Sequence, residues 1–234
     1  MIPITGPRGE VVLVLAESAL EMVPREIASH PSVRRWALRR GKSPLETLLD
    51  VSVHYHAMRN LPNREKRGRP DIVHVSLLEA LSSPLNLEGR LRVVVHTVGD
   101  YVLFVDPRTG IPRNYMRFVG LVEQAFKYGK VPPDGGKPLI EVVALSFPKL
   151  LQELGVNGIV LLDETGTLEK PEAVCSKTLE EGLPIVIGGF QHGDFSSVVK
   201  SYAKYTYSIY RRPLDTWTVV SRVLSGCERL LEIL

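Results

Sequence analysis

An alternation in the second half of the chain narrows the possible folds. Short apolar, β-branched runs at Glu141 to Ser146, Gly158 to Asp163 and Pro184 to Gly188 are separated by helical patterning near Lys149 to Leu154 and Pro171 to Gly182. Continuous apolar runs of that length read as strands buried on both faces. Strands alternating with helices argue for a parallel sheet covered on both sides, so the expected fold class is α/β. Ligands on such sheets bind outside the carboxyl ends of the strands.

The first half is less regular. Val11 to Ala16 is a further buried strand, and Ser18 with Glu21 three residues on has the form of a capping box opening a helix. Arg34 to Leu49 reads as a second helix carrying several arginines, and Asn60 to Pro70 as an exposed loop rich in Pro, Gly and Arg. Leu91 to Thr97 and Tyr101 to Asp106 form a hairpin about Val98-Gly99-Asp100. A helix is expected from Asn114 to Tyr128, and a loop over Lys130 to Pro138. Near the end, Pro213 stands at a first-turn position, followed by Leu214, Trp217, Val220, Leu224, Cys227 and Leu231 on one stripe. That amphipathic helix suits either the sheet or a second subunit.

Composition excludes several classes. Hydrophobic residues at 44% and charged residues at 24% belong to an ordinary globular chain. No apolar run approaches the roughly 20 residues that span a bilayer. Met1 to Glu10 shows no charged segment leading into an apolar core, so a cytoplasmic location is expected. Cys175 and Cys227 lack any metal-ligand spacing and read as buried thiols; a disulfide has no support in the spacing, and no metal is expected. Net charge is only +3, but residues 31–117 hold 15 Lys and Arg against 8 Asp and Glu, whereas 134–181 hold 4 against 9. A basic half of this kind suits a phosphate backbone, and equally a solvated surface.

Four segments offer chemistry. Gly188-Gly189-Phe190-Gln191-His192-Gly193-Asp194 follows a buried strand, where glycines permit close backbone approach to a ligand or simply a tight turn. Thr206 to Arg211 falls near the ligand end of the sheet or is an ordinary strand. Arg69-Pro70-Asp71 pairs a bidentate cation with a carboxylate that orients it, accepts a proton, or caps a helix start. Arg113 and Arg117, four apart, share a helix face with Arg108 in the preceding turn; the first carboxylate on that helix is Glu123. Such one-sided arginines suit phosphates better than a salt-bridge ladder.

Several of these segments together carry a resemblance. Arg69-Pro70-Asp71-Ile72-Val73-His74, Ser83-Pro84-Leu85-Asn86, Ile111-Pro112-Arg113, Arg117-Phe118-x-Gly120-Leu121, the 188–193 loop and Pro213-Leu214-Asp215 occur in order across nearly the whole chain. In this the chain resembles the archaeal and eukaryotic small-subunit rRNA pseudouridine N1-methyltransferases of the SPOUT, or α/β-knot, class. The resemblance implies a SPOUT-type parallel sheet with a C-terminal trefoil knot, an exception to unknotted topology. It implies one domain over 1–234 with a family-specific basic RNA-binding insertion around 50–115. It also implies a homodimer acting on small-subunit rRNA, and S-adenosyl-L-methionine as cofactor. By position, Gly188, Gly193 and Thr206, Tyr207, Ser208, Ile209, Tyr210 and Arg211 would line the cofactor site, with Thr167 from the turn after the 158–163 strand.

On the RNA side the resemblance assigns Arg69 and Asp71 to catalysis and RNA binding, and Arg108, Gly110, Arg113 and Arg117 to RNA binding. Two positions depart from the family pattern. Gly110 stands where an arginine is common, with Arg108 as its nearest substitute, and Ser82 stands where an aspartate is common, leaving Asp71 as the nearest carboxylate. The implied chemistry is methylation of the N1–H of pseudouridine after the base is flipped from an RNA loop. Arg69 would stabilise the charge developing on the base, while Asp71 orients it or helps remove the proton. The arginines equally suit a ribosome-assembly RNA chaperone with methylation secondary, which cofactor calorimetry would discriminate, or a SPOUT enzyme acting on another base or ribose.

Overall fold

The computed structural model describes residues 9–234. The leader reading for Met1 to Glu10 thus lies largely outside the described residues. Among these residues no helix is long and apolar enough to cross a membrane. The chain begins with β1 (Val11–Ser18). Then come the helices α1 (Pro31–Arg39), α2 (Val51–His54), α3 (Pro70–Ser82) and α4 (Pro84–Leu87). The hairpin β2 (Leu91–Thr97) and β3 (Tyr101–Val105) leads to α5 (Tyr115–Tyr128), β4 (Lys130–Val131) and β5 (Ile140–Ala144). The alternating half follows as α6 (Phe147–Glu153), β6 (Ile159–Leu168), α7 (Pro171–Glu181) and β7 (Ile185–Gly188). It closes with α8 (Ser197–Ser201), β8 (Ala203–Ser208) and α9 (Thr216–Leu230).

All strands join one eight-stranded sheet in the order β4-β5-β3-β2-β1-β7-β6-β8. The expected parallel sheet is present from β2 to β8, since β1 pairs in parallel with β2 and β7, and β6 with β7 and β8. Its other flank is a correction: β3, β5 and β4 are joined by antiparallel pairs. The short turn at 98–100 sets β3 antiparallel to β2, as the hairpin requires, because a parallel partner needs a long crossover; the new finding is that β5 joins this antiparallel flank and not the parallel one.

β1 shows why both faces are covered. Val11, Leu13 and Leu15 enter one core with α3, α5, α7 and α9, while Val14 and Ala16 enter the other with α6 and α8. Successive side chains point to opposite faces, so a continuous apolar strand requires two covers.

Two expected helices are corrected. Ser18 ends β1, with its hydroxyl donating to the Leu15 carbonyl, and Glu21 accepts both arms of Arg67 at 2.7 Å, so neither side chain caps a helix. The helix from Arg34 stops at Arg39, because Gly41 turns left-handed at φ +62° and Lys42 N–H closes onto the Ala37 carbonyl. Beyond it, Arg40 and Lys42 reach the buried carboxylate of Glu123 on α5 at 2.5–2.7 Å, docking this segment on the main body. Pro213 also falls short of the first turn: α9 starts at Thr216, with Asp215 at its N-cap.

The cysteines are the clearest correction. Cys175 of α7 and Cys227 of α9 form a disulfide, with Cα atoms 5.3 Å apart. Both lie on the faces with which α7 and α9 pack against each other, a neighbourhood that sequence spacing does not reveal. At a sequence separation of 52, closing this loop constrains the unfolded chain by about 4 kcal/mol in the chain-entropy picture. Reductant or Cys227→Ala should therefore lower unfolding stability by about 2–4 kcal/mol, read from denaturant midpoints; a change under about 0.5 kcal/mol would refute a stabilising role.

Candidate active site

The parallel strands end together, and a cavity of about 520 Å³ opens at their carboxyl edge. Its walls come from residues 162–165 at the bend of β6, from 187–188 and 190–195 at the end of β7 and beyond it, from 207–210 and 212–214 at the end of β8 and beyond it, and from Thr216 and Val219 of α9. The volume lies within the usual range for small-molecule sites.

The glycine loop is built by close backbone approach. Gly189 N–H donates to the Ala16 carbonyl at 2.9 Å, and its own carbonyl accepts Ala19 N–H at 2.8 Å. A Cβ at Gly189 would lie 2.1 Å from Ser18 Oγ. Gly193 turns at φ +102°, a conformation natural only to glycine. Thr216 Oγ donates to the Gly188 carbonyl at 2.7 Å, tying the start of α9 to the loop.

Of the residues expected to hold a cofactor, Gly188, Gly193, Tyr207, Ser208, Ile209 and Tyr210 line this cavity. Thr167, Thr206 and Arg211 do not. Thr206 pairs with Leu161 in the sheet, and Thr167, expected in the turn after the strand, instead lies within β6, which runs on to Leu168, and pairs with Tyr207. Arg211 is exposed in the turn after β8, where Arg212 lines the cavity instead.

Asp163, Glu164 and Thr165 also line the cavity, although they fall in none of the four segments that offer chemistry in the sequence. The available signal was a carboxylate directly after the apolar run 159–162. Asp163 accepts the Thr165 N–H and hydroxyl at 2.8 and 2.6 Å, which shapes this turn. Asp194, noted for its place in the glycine loop, is held by Lys200 at 2.5 Å, and that contact lowers its pKa.

The basic side is organised around the start of α3. Arg69 Nε and Nη2 donate to the two oxygens of Asp71 at 2.8 and 2.7 Å, and this pairing raises the guanidinium pKa. Beside it, Tyr115 donates to Asp50 at 2.5 Å, and burial followed by that carboxylate raises the phenol pKa, so Tyr115 remains a donor. Asp50 and Tyr115 carried no sequence signal, because they meet only when α2 and α5 converge. His74 stacks on Phe118 at 4.4 Å and donates from Nε2 to the Pro112 carbonyl at 2.7 Å, setting the turn ahead of α5.

Arg113 and Arg117 are exposed at that end of α5, and neither has a side-chain partner among the described residues. Arg108 differs, for it is 70% exposed yet bonded to the buried Asp106 at 2.9 and 3.0 Å. Gly110 is exposed, and a Cβ there would meet nothing within 4 Å.

The motif around Ser83 is structural. Its hydroxyl caps α4 by accepting Asn86 N–H, while Asn86 Nδ2 donates to the carbonyls of Leu81 and Pro107 at 2.9 Å. Ser82 instead donates to Leu78 within its own helix.

The two regions are joined by backbone. Arg69 N–H donates to the Ala19 carbonyl at 3.1 Å, and Ala19 N–H donates to Gly189. The class defined is an α/β protein with a small-molecule cleft at the carboxyl edge of its parallel strands and a cationic surface tied to the cleft loop. Residues 13–228 match the family model described as EMG1/NEP1 methyltransferase, and the chain belongs to that family.

Relatives agree along almost their full lengths. A protein of Staphylothermus marinus named ribosomal RNA small subunit methyltransferase Nep1 is 54% identical over 96% of this chain and 97% of its own length. One of the same name from Saccharolobus solfataricus is 43% identical over 94% and 97%. The crystal structure of Archaeoglobus fulgidus Nep1 bound to S-adenosylhomocysteine superposes with a TM-score of 0.83 at 36% identity, covering 96% of this chain and 99% of that one. The fold is that of the SPOUT class expected from the motifs.

Proposed function

We propose that this chain is an S-adenosylmethionine-dependent methyltransferase acting on N1 of a pseudouridine in small-subunit rRNA. The observation that carries the reading is the junction just described, where two backbone hydrogen bonds link the cleft loop to the Arg69–Asp71 pair. The S-adenosylhomocysteine in the Archaeoglobus fulgidus relative supports the choice of cofactor.

The residues present fit that cofactor. Leu162, Ile187, Leu214 and Val219 offer apolar surface, and the Asp163 and Glu164 carboxylates suit hydroxyl or ammonium donors. A Cβ on Gly188 would meet the Phe190 ring at 2.9 Å, so glycine keeps that wall open. Gly188, Gly193 and the 207–210 strand end would hold the cofactor, with Thr167 and Thr206 supporting them through the sheet. When bound, S-adenosylmethionine supplies a methyl group already activated on a sulfonium.

The chain's own residues then bind and orient the RNA. Arg69 faces the charge that develops as the base loses its N1 proton. Both Asp71 oxygens are occupied by Arg69, which makes Asp71 its positioning partner rather than a free base. Arg113 and Arg117 grip backbone phosphates, across a homodimer in this reading. The reading also includes a basic insertion within a single domain, a C-terminal trefoil knot and a cytoplasmic location. A tight wrap near the knot region agrees with it, since a Cβ at Gly166 would sit 2.6 Å from the Tyr207 backbone.

The deciding experiment is methyl transfer to a small-subunit rRNA hairpin containing pseudouridine, beside the same hairpin with uridine. Methylation of the pseudouridine hairpin alone is expected. Equal methylation of both, or of neither, would overturn the specificity. Gly110 allows a second check: with open space around it, Gly110→Arg should add one phosphate contact. RNA affinity should rise, and the log–log salt slope should steepen by about 0.7–0.9; an unchanged slope would remove position 110 from the RNA surface.

A further inference from the structure

Lys66 ends the short helical turn at residues 64–66, within the Arg-bearing stretch 60–70, and reaches the cleft loop. Its ammonium pairs with the Glu17 carboxylate, donates to the Asp194 carbonyl at 2.6 Å, and lies 4.2 Å from the centre of the Phe190 ring. Phe190 and Asp194 both line the cavity. The lysine stem also packs on the loop's turn, since a Cβ at Gly193 would lie 3.1 Å from Lys66 Cγ.

Glu17 holds the other end of this contact. Its carboxylate accepts Ser196 N–H at 3.1 Å, where the cleft loop runs into α8. The residue is buried and stands at φ +48°, a left-handed conformation that costs a non-glycine residue of order 1 kcal/mol or more. The fold thus tolerates strain at a point that ties β1, the 64–66 turn and the cleft loop together.

We propose that Lys66 is a positioning residue that couples RNA engagement by the Arg69 segment to the shape of the 188–195 cleft loop. The proposal rests on the RNA methyltransferase reading and adds a positive linkage between its two ligands. Lys66 stands three residues before Arg69, whose backbone is bonded to Ala19, two residues after Glu17. Ordering of this short segment by RNA holds the ammonium on Glu17, Phe190 and Asp194, and so holds the loop against the cofactor. By reciprocity, the cofactor tightens RNA to the same degree.

The test is calorimetric titration of S-adenosylhomocysteine with and without saturating pseudouridine hairpin. In the native chain, RNA should tighten cofactor binding by at least about fivefold, the lower end of common linkages. In the double variant K66M/E17Q the ratio should fall within about twofold of one. That variant keeps the stem, the Ser196 acceptor and charge balance, leaving no unpaired buried carboxylate. An unchanged ratio in the variant, or no linkage in a native chain that binds both ligands, would overturn the proposal. A native chain that binds neither ligand would instead defeat the methyltransferase reading. If the double variant does not fold, Lys66→Arg and Lys66→Gln decide: linkage kept in the first and lost in the second is expected, and equal linkage in both refutes the idea.

Discussion

Arg69→Ala should lower methyl transfer to the pseudouridine hairpin by about 10²–10³, the range seen when one preorganised donor to a developing anion is removed. The guanidinium is fixed by two hydrogen bonds to Asp71, so little reorganisation is needed when charge appears on the base. S-adenosylhomocysteine affinity should stay within about twofold of native, because Arg69 does not line the cavity. Asp71→Asn should show a smaller loss of the same kind, as an amide accepts only one arm of the fork. Loss of cofactor binding in Arg69→Ala would place this arginine in the other site.

Gly189→Ala should have the opposite signature, with cofactor binding failing first. The added methyl would fall 2.1 Å from Ser18 Oγ and 2.8 Å from Ser18 Cα, closer than any relaxation of a side chain alone can relieve. The loop must move off β1, breaking the hydrogen bonds to Ala16 and Ala19 that hold it. Overpacking of this kind costs about 1–3 kcal/mol, and the same displacement opens the wall at Gly188. Cofactor affinity should drop at least about tenfold, which corresponds to about 1.4 kcal/mol. Ser18→Gly should partly restore it, while Gly110→Ala, set in open space, should leave it unchanged. Native affinity in Gly189→Ala would show that the loop seats without its contact to β1.

Much of this architecture was legible in the sequence. β1, β2, β3, β6 and β7 lie where the apolar runs placed them, and α5 begins directly after Asn114, whose side chain caps it by accepting Arg117 N–H. The glycine loop and the 207–210 strand end, both singled out in the sequence, line one cavity. The failures have a common cause. Ser18 and Glu21 have the spacing of a capping box, but Glu21 is taken by Arg67 from 46 residues away. The Asp50–Tyr115 pair spans 65 residues and the Lys66–Glu17 pair 49, so neither leaves a local pattern.

Most of the strands and helices and their two-sided burial are legible in the sequence, because hydrophobic periodicity acts between near neighbours, whereas the two-residue β4 lies in a segment that reads as a loop. The sequence also placed the arginines and the glycine loop in their segments. Which segments meet is set by the three-dimensional packing. Sheet order brings the ends of β1, β6, β7 and β8 to one edge, and the packing of α7 on α9 turns two isolated cysteines into a bridge. The packing also decided that the 64–66 turn touches the cleft loop through Lys66. Contacts of that kind depend on loop closure and on the facing of packed elements, and neither is written in any stretch of sequence shorter than the fold itself.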